Sequence, residues 1–120
     1  MLFRKDENRK ISKITWAWTT LDNGQASIVL NDFSGYEIIA VQTVPGTDGD
    51  LVTNLPNDNY NVILLDAFNI DWFFAEGHDR KKVLSEVFFI TNRVPFPDSA
   101  KLTINNAGSA NQGLVNIWIA

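Results

Sequence analysis

The chain contains no cysteine in 120 residues. Disulfides, thiolate metal sites and a thiol nucleophile are thereby excluded, and the composition fits assembly in a reducing cytosol. Histidine is nearly absent: His78 stands alone, so no metal site can draw on two imidazoles. Basic residues are also scarce. Ten Lys and Arg face fourteen Asp and Glu, for a net charge of −4, and binding to nucleic acid needs clustered cations that are missing here. No apolar run approaches the length of a membrane-spanning helix. The first residues lack the apolar core of a secretory signal. The expectation is a soluble protein, intracellular when made, with neither nucleic acid nor membrane as partner.

Catalytic patterns are equally thin. His78 lies near Glu76 and Asp79 and could in principle act as a base or share a metal with Asp71, but neighbours on a turn rarely converge on one point. The bland reading, a surface-loop histidine, is preferred. Asp48-Gly49-Asp50 has the composition of a calcium loop without the oxygen spacing or terminal Glu of an EF-hand. Ser34-Gly35 and Gly108-Ser109 lack the Gly-x-Ser-x-Gly context of a nucleophile elbow. No pair of carboxylates stands out as acid and base. The chain is expected not to be an enzyme and to carry no cofactor and no metal.

What the chain does have is strand signal at short intervals. Its length fits one domain, read as an N-terminal arm over 1–10 followed by a β-domain over 11–120. In the arm Arg4, Lys5, Arg9 and Lys10 outweigh Asp6 and Glu7. Leu2 and Phe3 are its only apolar anchors. Ten extended residues reach about 35 Å, enough to cross onto a neighbouring subunit. Ile14, Trp16 and Trp18 alternate with Thr15, Ala17 and Thr19, a period of two. Asp22-Asn23-Gly24 predicts a hairpin turn returning through Ala26, Ile28 and Leu30. Tyr36–Val44 is apolar on both faces and predicts an inner strand. Pro45–Asp58 reads as a long surface loop. Asn59–Asp66 predicts a strand whose hairpin returns through Ile70–Phe74. Residues 79–85 read either as one helical turn capped by Asp79 or as the approach to a strand ending near Ile90. Pro95 and Pro97 exclude a central strand around Phe96. A last hairpin is predicted from Lys101–Asn105 and Leu114–Ile119. Seven or eight strands with turns every eight to twelve residues predict an all-β fold, a single-domain β-sandwich or jelly-roll-like domain.

The aromatics divide into two groups. Trp16, Trp18 and Trp118 share register with other apolar positions, and core packing explains them best. Trp72, Phe73 and Phe74 are consecutive, so as strand residues they face opposite sides. They are either buried on both faces of a two-layer core or offered to another chain, since aromatics concentrate at interfaces. A sugar-stacking platform is the weaker third reading.

Three pieces of the chain together resemble a group of small all-β virion structural proteins of tailed bacteriophages. They are Trp16–Ser27, with its Asp/Gly turn; Asn59–Gly77; and Lys101-Leu-Thr-Ile-Asn-Asn-Ala-Gly-Ser-Ala with the closing strand. The resemblance spans most of 14–120 and rests on turn and strand patterns. This chain has Asn69 where the group tends to Gly, and Trp72-Phe73-Phe74 where the group tends to small residues. The resemblance implies a capsid cement or decoration protein that binds and stabilises the major capsid protein lattice or another virion protein, as a homo-oligomer with a trimer favoured and located on the capsid surface. Its alternatives are a head–tail adaptor or tail component, and a glycan-binding module. From the residues, the expected partner contacts are Phe3, Arg4, Lys5, Arg9 and Lys10 in the arm and Trp72, Phe73 and Phe74 in the domain.

Overall fold

The structure, a computed structural model, describes residues 10–46 and 55–120, and in strand residues 89–92 the backbone alone. Most of the expected arm, with Phe3, Arg4, Lys5 and Arg9, lies outside the described residues, as does Asp48-Gly49-Asp50. Seven strands form: β1 Ser12–Thr19, β2 Ala26–Leu30, β3 Glu37–Pro45, β4 Asn61–Leu65, β5 Glu86–Pro95, β6 Ala100–Asn105 and β7 Gln112–Ile119. Among the described residues there is no helix, so the helical turn considered over 79–85 does not form. One sheet has the order β1-β7-β3-β5 and the other β2-β6-β4, with every pair antiparallel. The all-β sandwich expected from the strand spacing is what the chain adopts.

Odd-numbered strands build one sheet and even-numbered strands the other. Every connection therefore crosses between layers, and two predicted hairpins are corrected. β1 pairs with β7 and β2 with β6, although the intervening turn closes as expected through Leu21 N–H to Gln25 O and Gly24 N–H to Leu21 O. β6 and β7 likewise separate into different sheets. A turn signal reverses the chain locally but does not decide which sheet receives the next strand. The two turns instead pack on each other: Thr20 Oγ1 donates to Gly108 O at 2.5 Å and accepts from Asn111 N–H at 3.0 Å. β3 lies inside its sheet, between β7 and β5, as its two apolar faces predicted. β5, which ends at Pro95, forms that sheet's edge, where a missing N–H is tolerated.

The core lies between the sheets. Ile14, Trp16 and Trp18 of β1 stand opposite Ile117, Val115 and Gly113 of β7 on the inner face. Gly113 makes room for the Trp18 indole: a Cβ there would meet Trp18 Cζ2 at 2.3 Å. From the other sheet Val62, Leu64, Leu102 and Ile104 are fully buried. Trp118 is the exception among the expected core tryptophans. With Ile117 and Ile119 inward, the period of two turns it to the outer face, where Lys13 Nζ sits 5.9 Å from its ring.

Tyr60 precedes β4 and is fully buried, with its ring 5.7 Å from that of Trp18. Its hydroxyl and that of Thr43 are both buried without a hydrogen bond of ordinary geometry. Burial pushes the phenol up to about 12, with Thr43 pulling weakly the other way. Because the folded value exceeds the unfolded value of 10.0, this contribution is intact below pH 10 and is lost as pH rises through about 12. Two pH units correspond to about 2–3 kcal/mol. Urea midpoints measured from pH 9 to 12 should fall more steeply for the wild type than for Tyr60→Phe. At pH 7 Tyr60→Phe should stay within about 1 kcal/mol of wild type, because it removes an unpaired buried hydroxyl and keeps the ring.

Candidate functional site

β4 has β6 on one side only, so the backbone groups of its other edge need partners. Residues 66–80 supply them. Arg80 N–H donates to Tyr60 O at 2.7 Å, Val62 N–H to Gly77 O at 2.8 Å, Trp72 N–H to Leu64 O at 2.7 Å and Asp66 N–H to Ile70 O at 3.1 Å. Leu64 N–H donates instead to the side chain of Asp71, at 3.1 Å to Oδ1. The return strand predicted over Ile70–Phe74 does not form. Only isolated bridges at Leu65–Asp71 and Tyr60–Arg80 remain, with turns between them. The reason lies in Asp71, whose carboxylate also accepts from Phe73 N–H at 2.9 Å and Ala75 N–H at 3.0 Å. One side chain thus replaces a stretch of ladder and folds the backbone around itself. Gly77 lets the segment approach: a Cβ there would lie 2.0 Å from Val62 O.

This cap sorts the aromatics that the sequence places in a row. Phe73 is fully buried and meets Phe88 edge-on at 5.6 Å. It is therefore a core residue and not a partner contact, a correction that follows from the turn at Asp71 directing it inward. Trp72 is half-buried against the core, and its Nε1–H donates to Asp66 Oδ2 at 2.9 Å. Phe74 is 56% exposed, its ring 6.0 Å from that of Trp72. Phe74 and Ala75 both hold left-handed backbone, with φ of 53° and 66°, a conformation that costs a residue with a Cβ on the order of 1–2 kcal/mol. Phe68 and Ile70, at 83% and 54% exposed, complete a crest of apolar side chains on the cap. The sequence places Phe68 in the turn between the two expected strands and gives no sign of its exposure.

Asp66 anchors the start of the cap. Its Oδ1 accepts from Phe68 N–H at 2.8 Å and Ile70 N–H at 3.0 Å, the signature of an Asx turn. The Trp72 indole N–H, then the Ile70 amide, hold the carboxyl below its ordinary value of 3.8. Beside it, a cleft of about 390 Å³ opens between the cap and the β5–β6 connection, walled by Asp66, Phe68, Trp72, Phe96, Asp98 and Ser99. His78 approaches Asp71 at 3.9 Å on the exposed side of the cap. Among the described residues no group of three or more His, Asp or Glu could hold a metal ion. Of the expected contact residues, Lys10 is exposed, Trp72 and Phe74 come together on the cap, and Phe73 is withdrawn from the surface.

Gly77→Ala should drive the cap off β4 and destabilise the domain by on the order of 2–3 kcal/mol, as overpacking against fixed backbone does; thermal unfolding reads this out. The lowered Asp66 value has a defined sign. Its contribution is present above the ordinary carboxylate range and is lost as pH falls through the lowered folded value. The Trp72 indole N–H resonance should therefore shift on that acid side, and the step should vanish in Asp66→Asn. No family model and no curated protein sequence matches this chain.

Proposed function

We propose that the chain is a binding module of an assembly: a virion structural protein of a tailed bacteriophage, of the capsid cement or decoration kind, that stabilises the lattice of the major capsid protein. The observation that carries the binding role is the crest of Phe68, Ile70 and Phe74, each more than half exposed, on a backbone whose Asp66 and Asp71 hydrogen bonds hold it in place. Preordered aromatic side chains are efficient contact groups because little conformational entropy remains to be lost on binding. The virion setting is supported by the resemblance of Trp16–Ser27, Asn59–Gly77 and Lys101–Ala110 with the closing strand to small phage proteins. A modest apolar patch suits a cement protein, since a repeated lattice multiplies weak contacts by avidity.

The double variant Phe68→Ser, Phe74→Ser should keep the wild-type melting temperature within a few degrees while losing at least about tenfold in affinity for capsids. Co-sedimentation with particles measures this, and undiminished binding would remove the crest from the interface. Imaging of particles separates the structural alternatives. Copies on the shell in multiples of sixty fit a cement protein, whereas a dozen or fewer copies on the tail axis would assign the chain to the head–tail junction. Deleting residues 1–10 should leave the domain folded and weaken retention on particles during mild heating.

A further inference from the structure

The cleft between the cap and the β5–β6 connection has a wall chemistry that selects one kind of occupant. Two carboxylates, Asp66 and Asp98, face it together with the rings of Phe68, Trp72 and Phe96, and no Lys, Arg or His belongs to its described lining. Among the described residues Asp66 already accepts three hydrogen bonds, while Asp98 accepts one, from Ser34 Oγ at 2.7 Å. A carboxylate offers about four acceptor positions, so acceptor capacity and charge remain, chiefly on Asp98. Donors are the opposite case: the Trp72 indole N–H is committed to Asp66, leaving the Ser99 hydroxyl as the side-chain donor among the described wall residues. A saccharide, whose hydroxyls need donors and acceptors alike, is poorly served. A guanidinium or ammonium group is well served, because it needs only acceptors and is also attracted to aromatic faces.

The complementary charge is present in the same chain. Four of its ten basic residues, Arg4, Lys5, Arg9 and Lys10, fall within one stretch of seven. That stretch leads into β1 at the end of the sandwich where the cleft opens. Ser12 pairs with Ile119, Ile119 with Ile38, and Glu37 with Pro95, while Phe96 N–H donates to Tyr36 O. The start of β1 is thus three strand spacings from the β5 end, about 14 Å, within the reach of the residues ahead of it.

We propose that this cleft is a receptor for a basic side chain, a guanidinium above all, and that the chain's own segment Arg4–Lys10 fills it within the same molecule. This inference does not depend on the virion reading and is tested on purified protein alone. The probe is the Trp72 indole N–H resonance, assigned with Trp72→Phe and followed in the full chain. Replacing Arg4, Lys5, Arg9 and Lys10 together by Gln should shift it. Asp98→Asn and Phe68→Ala, at positions outside the core, should shift it in the same direction, and each should add little on top of the quadruple change. Adding a synthetic peptide of residues 1–10 to the quadruple variant should restore the resonance, with at least about tenfold weaker binding in 0.5 M salt. The peptide with its four basic residues changed to Gln should not bind. A resonance that ignores the quadruple replacement and the peptide overturns the cleft as a cation site. Wild-type protein whose mass doubles, and returns to that of a monomer in the quadruple variant, overturns the in-molecule assignment in favour of a segment supplied by a second copy.

Discussion

β4 ends its sheet with the backbone groups of Tyr60 to Asp66 directed away from β6, and much of the domain's distinctive structure follows from how that edge is closed. An open edge would invite another strand. An eighth strand would close it in the manner of a jelly roll, which has two sheets of four. This chain uses neither solution. The carboxylate of Asp71, the close approach of Gly77 and four backbone hydrogen bonds close the edge with irregular chain. Irregular chain can turn side chains where a pleated strand cannot, and so Phe73 enters the core while Phe74 leaves it.

The alternation of strands between layers has a related consequence. When every connection crosses the sandwich, the short turns gather at its ends and bridge the two sheets, while the long β4–β5 connection runs back along the β4 edge. One end is held by the Thr20, Gly108 and Asn111 hydrogen bonds, the other by Phe33, packed edge-on to Tyr36 and tilted against Phe96. The cleft at that second end is a product of this topology: the chain leaving β5 and the chain leaving β4 pass each other there, and their Asp98 and Asp66 meet in space though they are far apart in sequence.

How far the fold was legible can be traced to individual residues. Period-two patterns at Ile14–Trp18 and Leu114–Ile119 located strands, because alternation reports burial directly, and the two apolar faces of Tyr36–Val44 located an inner one. Asn23-Gly24 located a reversal. Neither signal carries partner information, so the hairpins drawn between sequential strands were wrong, and Trp118 was placed on the inner face although its neighbours Ile117 and Ile119 already occupied it. At the candidate site the unusual row Trp72-Phe73-Phe74 was visible, but its division was not. That division depends on Asp71 accepting three amides, a local bond pattern with no periodicity to betray it. Phe68 escaped notice for the same reason: a turn residue has no face until the turn is built.

The cap is more expensive than closing an edge requires. Left-handed backbone at Phe74 and Ala75 costs on the order of 1–2 kcal/mol per residue, and Asn69 and Asp79 hold two more such positions at lower cost. The hydrogen bonds of Asp66 and Asp71 and the burial of Phe73, itself about 2–3 kcal/mol, offset that cost and fix the geometry. None of this is repaid by Phe68, Ile70 or Phe74, which leave most of their apolar surface in water. A polar crest would serve the isolated domain at least as well. The stabilising burial of these three side chains becomes available only against another surface, and that is the physical argument for proposing the cap as a contact surface.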